Sequence, residues 1–441
     1  MQTVRSKSGA GSGSATPQLP PADQRFTKLE RSWIGYDIGN SAFTLLVTTI
    51  LPLYFNSLAE DAGIAPSMYL AYWGYAISVT TIIVALMGPI LGAVSDHSGS
   101  RKQIFLMTVV LGVLAMLVLA LPLTWFSFLV LFVVARTGYQ ASLVFYDSML
   151  HDITTPDRMD KVSSYGYALG YIGSCIPFVL SLLVVLGKDV VGLDMKTAIA
   201  IAIVINSIWW LAFTVPLLRN YKQRYYVSKG RVNVAEVFRG LGRTLKEIAG
   251  DKKLLLFLIA FFLYIDGVYT IIDMAVAYGG SIGLASEMLL LALLVTQIVA
   301  FPFAILFSRL AQKYPNHKLI QVCIVAYTLI AAFAVQLDKI WEFWFLAVLV
   351  GMFQGGIQAM SRSYFAQLIP PEKSGEYFGL YDVFGKGAAF MGTSLVAVIS
   401  QVTGKQNYGI AAIVVIFLLG FFVFRASLRQ PGGAEAKRQG S

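Results

Sequence analysis

Residues 92–102 read Gly92-Ala-Val-Ser-Asp96-His-Ser-Gly99-Ser-Arg101-Lys102 and separate two long apolar runs. The runs, about 70–93 and 103–122, each supply the roughly 20 residues that a helix needs to cross some 30 Å of hydrocarbon. The charged stretch is therefore a surface reversal between two antiparallel spanning helices. Gly92 and Gly99 permit a tight turn and close helix approach. Asp96 can accept hydrogen bonds from Arg101 or from the N-terminus of a helix elsewhere in the bundle. Such a bond between two parts of the bundle would hold that side closed. A plain helical hairpin turn is the simpler alternative.

The rest of the chain extends this pattern. Of 441 residues, 57% are hydrophobic and 13% charged, with a mean hydropathy of +0.68. Soluble domains carry about 25% charged residues, so the chain cannot cover a water-facing surface. That excludes a soluble enzyme, a disordered protein and a nucleic-acid reader. Twelve spans are expected, at about 32–57, 70–93, 103–122, 124–147, 163–187, 197–218, 254–279, 285–308, 319–337, 341–362, 377–400 and 407–425. No run alternates with period two, which excludes a membrane β-barrel. Cys175 and Cys323 lie in apolar runs, and form neither a disulfide framework nor a metal set.

Lys and Arg set the orientation. One side, holding both tails and the 2–3, 4–5, 6–7, 8–9 and 10–11 loops, carries 28 of the 34 basic residues. Both termini are thus expected in the cytoplasm, and the net charge of +10 is an orientation signal rather than a nucleic-acid footprint. Five regions follow: a disordered N-tail (1–30), a six-helix half (31–218), a linker (219–253), a second six-helix half (254–428) and a disordered C-tail (429–441). In the linker, Val234, Val237, Phe238, Leu241, Leu245 and Ile248 recur at helical spacing, with Arg239, Arg243 and Lys246 mostly off that stripe. This predicts an amphipathic helix, either at the membrane interface or packed on the bundle.

The two halves repeat. A shift of 218 residues brings Val130, Leu131, Gly138, Gln140, Ala141, Tyr146 and Leu150 of span 4 onto Val348, Leu349, Gly356, Gln358, Ala359, Tyr364 and Leu368 of span 10. Parallel six-helix repeats with a site between them near the midplane describe a secondary transporter. The 92–102 loop also resembles the signature loop of the major facilitator superfamily, with Gly92, Asp96, Gly99, Arg101 and Lys102 as its gating residues. The expected fold is an all-α membrane protein, two pseudo-symmetric six-helix halves in the major facilitator arrangement. The corresponding second-half loop has Gln312 and Pro315 in place of Asp96 and Gly99, which leaves it without an evident gating role.

Polar residues inside the spans mark the candidate cavity, because a charge at the bilayer centre costs about 2.5–3.5 kcal/mol. Span 1 carries Asp37, Asn40, Ser41, Thr44 and Thr48 on one face, and span 7 carries Asp266, Tyr269, Thr270 and Asp273. Spans 1 and 7 are equivalent, so the two acidic stripes are expected to face each other. Span 4 adds Arg136 and Gln140, span 10 adds Gln354, Gln358 and Ser361, and span 11 adds Asp382 and Lys386, four apart on one face. Each has a structural alternative. Asp382–Lys386 would serve as a buried pair, Arg136 as the counter-ion of Asp37 or another acid, and Asp37 as an interfacial residue. Asp147 and His151 read as interfacial. Burial raises a carboxylate's pKa and a nearby cation lowers it, so Asp37, Asp266 and Asp273 are candidates to couple a proton to transport.

Four blocks carry a more specific resemblance. They are Tyr36-Asp-Ile-Gly-Asn-Ser-Ala-Phe43, Phe262-Leu-Tyr-Ile-Asp-Gly-Val-Tyr-Thr-Ile-Ile272, Ser163 to Ser174, and Gln354-Gly-Gly-Ile-Gln-Ala-Met-Ser-Arg-Ser363 continuing to Leu368-Ile-Pro370 and Glu376-Tyr-Phe-Gly379. Together they resemble the vacuole effluxer family, which includes the autophagy-related vacuolar amino-acid effluxers of fungi and many bacterial transporters. The resemblance implies export of neutral amino acids such as leucine, isoleucine or tyrosine. With the polar stripes facing a central cavity, Asp37 and Arg136 are the expected contacts for the ammonium and carboxylate of such a solute. A monomer in a bacterial inner membrane is expected, with a small solute, lipid and possible coupling protons as partners, and no cofactor or metal. Two other classes stand beside it: a proton-driven exporter of amphipathic toxic compounds, and a sensor that binds without moving its ligand. An enzyme is not expected. His97, His151 and His317 lie in or beside loops and offer no catalytic set.

Overall fold

The computed structural model describes residues 25–227, 234–281, 286–337, 339–403 and 406–431. The N-half holds α1 (Lys28–Thr48), α2 (Ile50–Asp61), α3 (Pro66–Ser95), α4 (Ser100–Leu119), α5 (Trp125–Ser148), α6 (Leu150–Ile153), α7 (Met159–Leu186), α8 (Lys188–Val191) and α9 (Met195–Asn220). The linker holds α10 (Val234–Gly250). The C-half holds α11 (Lys252–Ser281), α12 (Ser286–Leu310), α13 (Asn316–Ala334), α14 (Ile340–Leu368), α15 (Ser374–Thr403) and α16 (Gln406–Ser427). No strand occurs among the described residues. Twelve spans are long and apolar enough to cross a membrane, as expected, with α1 and α2 together forming the first. The expected disordered tails fall mostly on 1–24 and 432–441, outside the described residues.

The breaks have local causes. Pro52, the third residue of α2, has no N–H for the carbonyl of Thr48, and the first span breaks at Thr49. Thr27 and Glu30 form a capping box that starts α1 at Lys28, earlier than the apolar pattern suggests. Glu30 also takes a two-pronged bond from Arg158 at 2.9 and 2.8 Å. Gly99 sits at φ +78° between α3 and α4, a conformation that side chains disfavour.

Without a hydrophobic drive between helices in lipid, close packing and polar contacts hold a bundle together. The halves meet most extensively along two pairs, α3 with α15 and α7 with α12. In the first pair, Gly88 and Gly92 face Gly379 and Gly375 so closely that a Cβ on Gly375 would overlap Gly92 O and lie 2.7 Å from Asp96 Oδ1. Gly375→Ala is therefore expected to prop this end open. Overpacking costs about 1–3 kcal/mol. A cysteine introduced at Ala366, buried here, should then react about tenfold faster with a water-soluble maleimide.

The linker helix forms where the stripe predicts it, but the stripe divides. Val237 and Ile248 are buried, while Phe238 and Leu245 stay exposed beside Arg239, Arg243 and Lys246. Glu247 anchors the helix to Lys373 at 2.8 Å.

Candidate functional site

Three polar clusters tie the halves together, all near the face that carries the linker. In the outermost, Asp96 caps α3 and receives Gly375 N and Glu376 N at the start of α15, at 2.7 and 2.9 Å. The same carboxylate accepts from Arg101 at 2.5 Å. A helix N-terminus with free N–H groups favours a carboxylate there. Arg101 also reaches Asp152 at 2.9 Å. Asp152 in turn accepts from Tyr221 Oη (2.6 Å), Arg224 N (2.8 Å) and Tyr225 N (3.0 Å), which fastens the start of the linker. Lys102 is half-buried beside this cluster, and no bond joins it to the C-half among the described residues. Nearby, His151 Nε2–H donates to Ala366 O at 2.7 Å. Burial pushes the His151 pKa down to about 4, so the ring is neutral and uncharged across neutral pH.

Charged hydrogen bonds are worth about 1.5–3 kcal/mol each. Asp96→Asn removes the charge and turns an amide N–H₂ toward a backbone donor. It is expected to shift the balance toward the form open at this face by about tenfold to a hundredfold. Faster maleimide labelling at Ala366→Cys would report the shift, and an unchanged rate would count against it.

The second cluster is built on Arg362 of α14. Its Nε and Nη2 donate to Ser163 Oγ and Ser163 O at 2.9 and 3.0 Å, and its Nη1 donates to Asp147 at 2.9 Å. Asp37 Oδ2 lies 3.6 Å from Nη2. The guanidinium stacks over Tyr167 at 4.3 Å and Trp33 at 4.7 Å. One side chain from the C-half thus engages α1, α5 and α7 of the N-half. A planar fork suits this role, whereas an ammonium does not. In the third cluster Asp160 of α7 accepts from Asn316 (2.5 Å), Ser363 (2.5 Å) and Gln367 (3.3 Å). The second-half loop therefore does cross to the N-half, through Asn316 rather than through Gln312 or Pro315.

The residues singled out from the sequence separate into groups. Asp37 and Asn40 lie at the Arg362 cluster, where Tyr146 Oη donates to Asp37 at 2.7 Å and Asn40 Nδ2 at 3.2 Å. The alternative that makes Arg136 the counter-ion of Asp37 is not the arrangement formed: the cation beside Asp37 is Arg362. Ser41 packs against Gly170. Further along the same face, Thr44 and Thr48 are exposed while Asp37 is buried, so the face opens away from the linker side. Near the middle, Lys386 binds Asp382 at 2.6 Å and reaches Gln140 O across the halves at 3.5 Å. Tyr171 Oη donates to Gln358 at 2.8 Å, also across the halves. Arg136 is half-buried one turn from Gln140.

Asp266 stands apart. It is fully buried midway along α11, and its Oδ1 accepts from Gly392 N of α15 at 2.7 Å. The Thr270 hydroxyl, one turn on, lies beside the carboxylate, and Oδ2 receives no other donor among the described residues. No cation pairs with it among the described residues. The acidic stripes do not face each other as expected. Aligning Tyr36 with Tyr264 and Gly39 with Gly267 puts Ile265, not Asp266, opposite Asp37 in the repeat. One residue turns a helical side chain by about 100°, here away from the N-half and onto α15. The Asp273 side chain lies outside the described residues.

Sequence reasoning missed Arg362, Asp152 and Asp160. The run Ser361-Arg362-Ser363 reads as a helix end at the membrane surface, which places Arg362 with the 10–11 loop. In fact α14 continues to Leu368. The polar residues are accommodated because the other half supplies their partners.

A family described as "vacuole effluxer Atg22 like" matches residues 27–158 and 151–437. The MFS-type transporter YxiO of Bacillus subtilis is 41% identical over 405 residues, 91% of this chain and 95% of that one. Autophagy-related protein 22 of Coccidioides immitis is 23% identical over 426 residues, 78% of this chain and 70% of that one. The human organic anion transporter MFSD10 shares the fold, with a TM-score of 0.67 at 15% identity over 90% of this chain and 99% of that one.

Proposed function

We infer the function from the premise that the chain belongs to the Atg22-like vacuole effluxer family and is an MFS-type multi-pass transporter, not an enzyme. The reading is a carrier that exposes a central site alternately to each side and exports small solutes such as neutral amino acids, with a proton as the coupling ion. The observation that carries it is the one-sided placement of the bonds between halves. The Asp96, Arg362 and Asp160 clusters all lie toward the linker face, while the polar face of α1 is exposed beyond them. This supports one closed gate and one open cleft, which is half of a two-state cycle. With the linker face in the cytoplasm, the form described is open to the outside of a bacterial inner membrane.

Asp266 is the residue proposed to carry the proton, since a fully buried carboxylate with no cation beside it among the described residues is a site for one. Asp382–Lys386 and Gln358–Tyr171 support the central site as contacts that break when the halves rock. Asp37, the expected ammonium contact, belongs to the gate in this form. Arg136, Gln140 and Gln354 remain the proposed polar contacts for the solute. Counterflow tests the reading. Liposomes containing the purified protein are loaded with unlabelled leucine or tyrosine, and labelled solute is followed inward with and without a pH gradient. Counterflow establishes a carrier and its solute class together. Ligand binding without counterflow would favour a sensor.

A further inference from the structure

The C-half contains a partly open cavity of about 290 Å³ that the sequence gives no direct sign of. Leu289, Leu293, Leu346, Val350 and Ile413 form much of its wall. Its few polar atoms include the hydroxyls of Thr270, which lies beside the Asp266 carboxylate, and of Ser400, buried without a hydrogen-bond partner among the described residues. Thr270 is only 2% exposed and lies one turn beyond Asp266. The inner wall is Gln354, one turn from Gln358, where Tyr171 of the N-half makes its bond. The cavity thus reaches from the contact between the halves into one half alone.

The repeat shows that this hollow is particular to the C-half. In the N-half the equivalent space is packed with aromatic rings. Phe128 lies edge-on to Tyr54 at 5.3 Å, Phe132 stacks on Trp73 at 4.2 Å, and Phe43 stacks on Tyr139 at 4.5 Å. The 218-residue shift converts Phe128 and Phe132 into Leu346 and Val350, and the alignment of Gly39 with Gly267 converts Phe43 into Ile271. All three replacements line the cavity. An unfilled apolar cavity forfeits contacts along its whole lining. One of about 150 Å³ admits benzene, so this one has room for a two-ring group.

We propose that this cavity is an apolar subsite of the transport site, and that it selects amphipathic solutes whose apolar group is larger than an aliphatic amino-acid side chain, on the scale of indole or naphthalene. The proposal rests on the carrier reading above and narrows its solute class. Transferring one methylene out of water favours binding by about fourfold, so affinity should climb steeply with apolar size until the cavity is full.

The test is direct binding to protein in lipid nanodiscs, by calorimetry, with alanine, leucine, tryptophan, naphthylalanine and indole as probes. Wild type should bind naphthylalanine at least about tenfold tighter than alanine. Val350→Phe, which copies the N-half, should weaken naphthylalanine and indole about tenfold or more and leave alanine within twofold. Val350→Ala enlarges the space and should keep or tighten naphthylalanine, which covers the case in which the phenylalanine variant does not fold. Folded Val350→Phe with wild-type affinity for naphthylalanine and indole would overturn the subsite, as would wild-type protein that binds neither. If indole alone binds and is lost in Val350→Phe, the subsite stands and the amino-acid reading falls.

Discussion

Arg362→Gln is expected to reduce counterflow by about a hundredfold while leaving a folded protein. Removing one partner of a buried ion pair costs about 3–5 kcal/mol, because the other charge stays behind. Here two carboxylates, Asp37 and Asp147, lose their cation together. Ser163 Oγ and its carbonyl lose their donors as well. All these bonds join the halves, so the cost falls on the closed linker face and not on either half alone. About 3 kcal/mol in a two-state balance is a factor of about 100. The variant should therefore rest open at the linker face, with fast maleimide labelling at Ala366→Cys. Arg362→Lys should resemble it, since an ammonium cannot match Ser163 and Asp147 at once while stacking on Trp33 and Tyr167. Wild-type counterflow in Arg362→Gln would remove this residue from the gate.

Asp266→Asn is expected to separate exchange from proton-driven accumulation. Asparagine keeps an acceptor for Gly392 N and puts an uncharged N–H₂ in place of the other carboxylate oxygen. It therefore mimics the protonated acid. A one-to-one proton coupling supports up to about a tenfold concentration ratio per pH unit. In the variant that ratio should fall to one, while counterflow continues and no longer responds to pH. Accumulation at the wild-type ratio would assign the proton to another group.

The spans were legible because their signal is length and apolarity, which need no partner. The Asp96 loop was legible for a related reason. Its glycines, acid and base are adjacent in sequence, and only one missing element, the start of α15, lies elsewhere. Arg362 was not legible as a gate residue, because its partners come from three helices between 199 and 325 residues away in the chain. Span-level equivalence also carried the reading of α1 and α11 too far. Asp37 and Asp266 sit on equivalent helices but are one residue out of phase, and that single residue decides whether an acid faces the other half or its own. The cavity was hidden for the opposite reason. It depends on where three phenylalanines are absent, which only the repeat and the packing together reveal.

Alternating access is tested most directly by distances between spin labels on the two faces, measured in the same protein. Cysteines at Asp157 and Gln312 report the linker face, and those at Asp189 and Gln336 report the opposite face. All four positions are exposed, and the native Cys175 and Cys323 are buried. Two populations are expected at each face, and solute or pH should lengthen one pair as it shortens the other. Distances that stay fixed at both faces, or that lengthen together as in a pore, would contradict the account.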